Sequence, residues 1–514
     1  MKRRDLLLSP LLVTVLGGCD GRTGLTDRVL RFGLAASPRN LDPRLATDAA
    51  SERVNRLLYR RLVEFDSRSL PVPGIARWEQ VSSTRYLFRL GETGRAFGDG
   101  SRLGARDVAA TFNSVLDPET ASPHRTLLSM IREIRAIGPD RVEFRLEEPD
   151  PLFPAYLGIG ILPATGIEEG RVFSDQPLGS GPFRFQGRPE PGRLRLERRH
   201  DGQMLEFVTV KDPNVRVMRL LRGEIQMLAN DLSPELTRFL QDRGPGPGRG
   251  AGVRVDTRPG VNFSYLGFNL ADPLAGRLAV RQALAHAIDR EALLRHLFNG
   301  RARTAESLFP PDHWAGHPGL APNPYDPDRA RTLIAGLGYG PGRSLELTFK
   351  TTNDPFRVRL ATAIQAQAAQ AGIRLVVRSH DWGTFFGDVK ASRFQLYGLT
   401  WVGIRTPDIF RYAFHSASVP PDGANRGRYA SAEADRLIEQ ARTLPDLADQ
   451  AEVYRDLQSR IHADLPYLPL WYEDQMAASR PEVSGYVLAA DGNYDGLEGV
   501  RLASAVEGRD AGPV

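Results

Sequence analysis

The sequence predicts an α/β protein of more than one domain, on three observations: its length, its short alternating apolar runs, and a helical stretch that leads directly into such a run. The chain has 514 residues, enough for two to four domains at about 150 residues each. Runs at 29–34, 85–90, 142–146, 194–198 and 207–210 alternate or are rich in β-branched and aromatic residues, and read as strands with one wet face. Further strands are expected at 263–268, 345–349, 373–377 and 394–400. A helix at 360–371 stops at Gly372 and passes straight into the strand from Ile373, the join expected of α/β layering.

Other helices carry their own start and stop chemistry. Asp212 can accept the free amide hydrogens of a helix starting at Pro213, where a missing N–H costs nothing, and Gly223 suits a left-handed stop. The longest candidate covers 277–298: Leu278, Ala283, Leu284, Ala287, Ile288, Leu294 and Leu297 share about one face, and Asn299-Gly300 ends it. Ser431 and Asp446 are expected caps of two late helices separated by Pro445. The stretch Gly244-Pro245-Gly246-Pro247-Gly248-Arg249-Gly250 reads as a surface loop. Its prolines remove amide hydrogens that a phosphate cradle would use. The tail from about Val506 is expected to fray.

Composition keeps the chain among ordinary globular proteins, with 41% apolar and 25% charged residues. The net charge is +5, with basic residues scattered among acids, which argues against a nucleic-acid footprint. The single cysteine, Cys19, excludes an internal disulfide and a cysteine-based zinc site. It lies at the end of a targeting segment. Met1-Lys2-Arg3-Arg4 is a basic head, and residues 6–16 form an apolar run too short to span a bilayer stably. The sequence Leu16-Gly17-Gly18-Cys19 resembles a bacterial lipobox. That resemblance implies removal of residues 1–18 and acylation of Cys19, since two or more acyl chains anchor stably where one is marginal. Asp20 resembles the signal that keeps a lipoprotein at the inner membrane.

Catalytic signatures are missing. No Gly-x-Ser-x-Gly, His-Glu-x-x-His or Walker-type Gly-Lys-Ser/Thr sequence occurs. His313 and His317 are four apart, but they sit among Pro310, Pro311 and Pro318, where no helix aligns them, and both are expected to be solvated. No cofactor, no metal and no enzymatic activity are expected.

A series of ordered fragments resembles the extracellular solute-binding proteins of family 5, the peptide/nickel class serving ABC importers. It begins with Leu41-Asp42-Pro43, Tyr59-Arg60-Arg61-Leu62-Val63, Pro73-Gly74-Ile75-Ala76 and Phe97-Gly98-Asp99-Gly100. It continues through Gly179-Ser180-Gly181-Pro182-Phe183 and Arg222-Gly223-Glu224-Ile225. The most specific fragment, residues 280–290, reads Val-Arg-Gln-Ala-Leu-Ala-His-Ala-Ile-Asp-Arg, and Tyr325-Asp326-Pro327 and Gly338-Tyr339 follow it. The resemblance implies a type II two-lobe periplasmic-binding-protein clamp. Lobe I would comprise 19–270, with an extra subdomain at about 70–175, and lobe II 271–476. Residues 477–514 would return to lobe I, and the two crossings would form the hinge. Arg281 and Asp289 would order the long helix.

The resemblance also suggests where a ligand sits. Trp401-Val402-Gly403-Ile404 matches a Trp-x-x-Asp whose carboxylate, in peptide-binding members, pairs with the peptide's α-ammonium. Here Ile404 stands in that place. A buried ammonium without a counter-charge is strongly disfavoured, so the acid comes from elsewhere, Asp408 or Asp48, or the ligand lacks a free amine. Arg405 and Arg357 are candidates for a carboxylate or phosphate; the alternative is that both are solvated. Trp401 and Gly403, with Asn353, Thr47 and Asn425 on matching loops, complete the expected ligand-binding set. The implied function is a monomeric, lipid-anchored periplasmic receptor that delivers a peptide-like solute to permease subunits. Receptors for an oligosaccharide or a nickel complex, a sensor without transport, and a periplasmic enzyme remain as alternatives.

Overall fold

The computed structural model describes residues 29–244 and 252–503. The signal with Cys19, most of the glycine-rich loop and the tail from Val506 lie outside the described residues.

An eleven-stranded mixed sheet runs through both halves of the molecule. Its order is Ile373–His380, Leu345–Thr352, Leu396–Trp401, Arg254–Phe268, Tyr467–Ser479, Met227–Ala229, Val29–Leu34, Met204–Thr209, Arg193–Arg198 and Phe183–Gly187, with Ala302–Thr304 added against Tyr467–Ser479. Arg254–Phe268 and Tyr467–Ser479 are the long strands that cross between the halves. Midway along them Arg258 pairs with Gln475 and Asn262 with Glu473, and between these pairs the register slips. Three residues on one strand thus oppose one on the other, an irregularity of the kind that bends and twists a pair. At Gly260 the strands approach so closely that a Cβ would stand 2.1 Å from the Glu473 carbonyl oxygen.

Each half has its own apolar core. In one half, built mainly from residues after 270, Leu266, Leu347, Leu375 and Leu396 from the sheet bury against Ala361, Ile364 and Ala368 from helix Pro355–Gln370. In the other, Phe32 and Phe207 pack with Tyr494 of the returning C-terminal segment at ring separations of 4.9 and 6.0 Å. A separate antiparallel sheet, in the order Ala76–Ser82, Arg85–Leu90, Arg141–Leu146, Ile131–Ile137, forms the extra subdomain. Alternation decides its two faces: Tyr86, Phe88 and Leu90 are buried while Arg85 and Arg89 are exposed. Helix Ala105–Leu116 covers the inner face, with Phe112 edge-on to Phe144 at 5.6 Å.

The expected caps form. Asp212 accepts from the Val215 amide at 2.9 Å, Gly223 takes a left-handed φ of 76°, and Ser431 and Asp446 begin helices Ala432–Thr443 and Leu447–Asp464. The expected helix over 277–298 is instead two, Leu278–Ala287 and Arg290–Leu297. Asp289 caps the second by accepting from the Ala292 amide at 2.8 Å, while the Gln367 carboxamide bonds both the Asp289 amide and its carbonyl. A side-chain partner for the backbone thus competes with helix continuation. Arg281 donates to the Asp464 carbonyl at 2.7 Å and ties the first of these helices to the end of Leu447–Asp464.

Candidate functional site

Helix Ala49–Leu58 starts because Asp48 accepts hydrogen bonds from the amide and hydroxyl of Ser51, at 2.9 and 2.6 Å. Its stripe of Glu52, Asn55 and Arg56, followed by Tyr59 just beyond its end, lines one wall of a cleft of about 360 Å³. The spacing of three and four puts Glu52, Asn55 and Arg56 on one side of the helix, and Tyr59 follows in extended backbone. The opposite wall is the chain from Trp401 to Ile409, where strand Leu396–Trp401 ends. Gly403, at φ 74°, makes the turn there, a conformation a Cβ would strain. His124 and Tyr156 from the extra subdomain also line the cleft.

Trp401 is held in place from three sides. Tyr265 stacks on it at 6.5 Å and Tyr412 meets it edge-on at 6.3 Å. The Arg426 guanidinium sits 5.0 Å from its ring centre, and 5.2 Å from that of Phe386. The indole presents a fixed wall to the cleft.

Arg405 is not solvated. Its guanidinium pairs with Asp491 of the C-terminal segment and stands 4.9 Å over the Phe65 ring. Its carbonyl accepts from His313 Nε2 at 3.0 Å, while His313 Nδ1 accepts from the Ala315 amide at 3.1 Å. His313 is therefore buried, contrary to its expected solvation, and burial pushes its ring down to about 4. The proline-bounded loop folds inward because the imidazole stacks flat on Phe309 at 4.0 Å. His317 bonds Ser459 at 3.0 Å.

Charge in the cleft is unevenly matched. Arg56 pairs with Asp495 and Glu64, Arg61 with Glu64, and Arg405 with Asp491. Glu52 has no ion pair among the described residues. Open to solvent but crowded by the cleft walls, its carboxyl is pushed up by that burial to about 7, against the lowering pull of Arg61 and Arg56. Asp408, which accepts from the Thr406 hydroxyl, is pushed up by burial to about 6.

The structure gathers Trp401, Gly403, Ile404, Arg405 and Asp408 at this cleft. It places the other sequence candidates elsewhere. Asp48 is engaged as a helix cap, and Thr47 is exposed just before it. Asn353 is exposed on a loop, its amide bound to the His380 carbonyl. Asn425 is 2% exposed and holds its own turn, bonding His415 O and the Tyr429 amide and carbonyl at 2.7–3.1 Å. Arg357 makes a two-pronged pair with Glu473 at 2.8 and 3.3 Å, beside a second cavity of about 270 Å³ between strand Arg254–Phe268 and helix Pro355–Gln370. Glu473 also accepts from Ser264 at 2.7 Å. Burial opposes its charge, yet Arg357 holds it below the usual carboxylate range. Sequence reasoning missed Glu52, Asn55, Arg56 and Tyr59; the helical spacing of the first three was the available signal.

Among known proteins, the family described as bacterial extracellular solute-binding proteins, family 5 middle, matches residues 64–420. The dipeptide-binding protein of Escherichia coli K12 is 25% identical, the alignment covering 95% of this chain and 96% of that one. The fold is shared with NikZ of Campylobacter jejuni, solved with Ni(L-His), at TM-score 0.80 and 21% identity over 92% of this chain and 99% of that one. It is shared also with DppA of Helicobacter pylori, solved with the peptide STSA, at TM-score 0.78 and 24% identity, covering 93% and 98%.

Proposed function

The chain belongs to the bacterial extracellular solute-binding proteins of family 5, and on that premise we propose that it is the lipid-anchored receptor of an ABC importer for a peptide-like solute. Its relatives are solute-binding proteins rather than enzymes. The cleft carries the reading: one wall comes from helix Ala49–Leu58, the other from 401–409, so a solute between them touches both halves. Contacts made from both lobes exist only when the lobes close, and binding then shifts the population toward the closed form without any chemical step.

Lobe I takes 19–270 with its subdomain at about 70–175, lobe II takes 271–476, and 477–514 return to lobe I. Trp401, Gly403, Ile404 and Arg405 contact the solute. Acylation of Cys19, with Asp20 following, holds the monomer at the periplasmic face of the inner membrane, where it hands the solute to permease subunits. The dipeptide-binding relative supports peptides as the solute class.

Native mass spectrometry of the protein as purified identifies the co-purified solute, and a thermal-shift panel of peptides, oligosaccharides and nickel–histidine measures selectivity. A solute at 100 times its Kd adds about 2.7 kcal/mol to stability. A shift by small peptides is the expected result. A shift by a sugar or a nickel complex alone would move the solute class, and no shift with any of them would refute the receptor function.

A further inference from the structure

Three arginines line the cleft, and each already has a carboxylate: Arg56 with Asp495 and Glu64, Arg61 with Glu64, Arg405 with Asp491. The unmatched charges lining it are acidic. Neither Glu52 nor Asp408 has an ion pair among the described residues, though Asp408 accepts from the Thr406 hydroxyl and from the backbone amides of residues 408 and 409. One helical turn from Glu52, Asn55 lines the same cleft. It is 5% exposed, its Nδ2 donates to the Asn40 carbonyl at 3.4 Å, and its Oδ1 has no partner. An acceptor left unmade at a buried position costs about 1–3 kcal/mol, and a donor brought by a solute removes that cost. At position 404 of the opposite wall stands a hydrocarbon, which offers a cation nothing.

Resting on the receptor function above, we propose that the solute is cationic at one end, and that its protonated amine is received by lobe I, between the Glu52 carboxylate and Asn55 Oδ1, with Asp408 completing the site from lobe II. An ammonium has three donors and no acceptor, which suits two carboxylates and one amide oxygen. Hydrogen bonds between charged partners are roughly twice as strong as neutral ones. Because the acids sit on opposite walls, the cation itself draws the lobes together.

The test uses the full-length protein in mild detergent, with three probes measured by calorimetry: a tripeptide mixture built from Ala, Gly, Leu, Phe and Ser, the same mixture N-acetylated, and 1,5-diaminopentane. Glu52 is exposed and has no ion pair among the described residues, so Glu52→Gln is expected to fold as the wild type does. Binding of the free tripeptides is expected to weaken about tenfold or more on N-acetylation, and by a similar factor in Glu52→Gln, with Glu52→Asp in between. If the acetylated mixture binds the wild type as well as the free one, or Glu52→Gln binds as the wild type does, the proposal is overturned while the peptide reading stands. Binding of the diamine but not the tripeptides, lost in Glu52→Gln, overturns the peptide reading and upholds the cation site. No binding of any cationic probe overturns both.

Discussion

Arg405, on the chain just past strand Leu396–Trp401, pairs with Asp491 of the C-terminal segment, so an ion pair links the 401–409 wall of the cleft to that segment. Asp491 in turn accepts from the amide and carboxamide of Asn493, and the neighbouring Asp495 pairs with Arg56 of helix Ala49–Leu58. The pair is therefore tied, through the same C-terminal segment, to helix Ala49–Leu58.

Breaking that pair is expected to act on lobe geometry. Asp491→Asn leaves a mostly buried guanidinium without its counter-ion and should cost on the order of 2 kcal/mol, less than the 3–5 of a fully buried pair. Arg405→Ala removes the link, and small-angle scattering of the solute-free protein should show a larger radius of gyration than wild type. An unchanged scattering profile would mean that the pair does not restrain the lobes.

Asn425→Ala removes three hydrogen bonds from a buried turn without touching the cleft. Stability should fall by about 2–3 kcal/mol, as expected when buried partners are left unpaired, seen as a lower urea midpoint. Affinity for solute should not change. A loss of affinity at unchanged stability would return Asn425 to the binding set.

Gly260→Ala would place a Cβ 2.1 Å from a backbone oxygen of the facing strand. Backbone cannot rotate away as a side chain can, so the crossing pair must spread, at about 1–3 kcal/mol. Chemical denaturation measures this, and a variant as stable as wild type would show that the two strands separate there at little cost.

His313 gives a pH dependence of known sign. Its ring is held down to about 4 in the fold from an ordinary 6.5, so between those values the unfolded chain binds a proton that the folded one does not. Its contribution is fully present above about pH 6.5 and is lost as pH falls toward 4, by about 3 kcal/mol at most. Denaturant midpoints at pH 7.5 and pH 4 should differ less in His313→Gln than in wild type. Equal differences in the two proteins would remove His313 as the cause.

Much of this molecule is written locally. Strands Val29–Leu34 and Arg85–Leu90, the Asp212 and Ser431 caps and the stop at Gly223 follow from alternation and from side chains bonding backbone a few residues away. These interactions are complete within a short stretch of chain, so residue order determines them. The break at Asp289 was not legible in the same way, because the carboxamide that competes for its backbone comes from Gln367, 78 positions later. At the cleft, the sequence determined the 401–405 segment through its match to a family motif and showed that the acid expected at 404 is missing. Tertiary structure decided the rest. It brought Asp491 to Arg405 across 86 positions and Glu473 to Arg357 across 116, turning two arginines from candidate anion sites into members of ion pairs. It also set Glu52 and Asn55 opposite Ile404. A charge's availability depends on which other charges reach it, and that is decided by packing between distant segments.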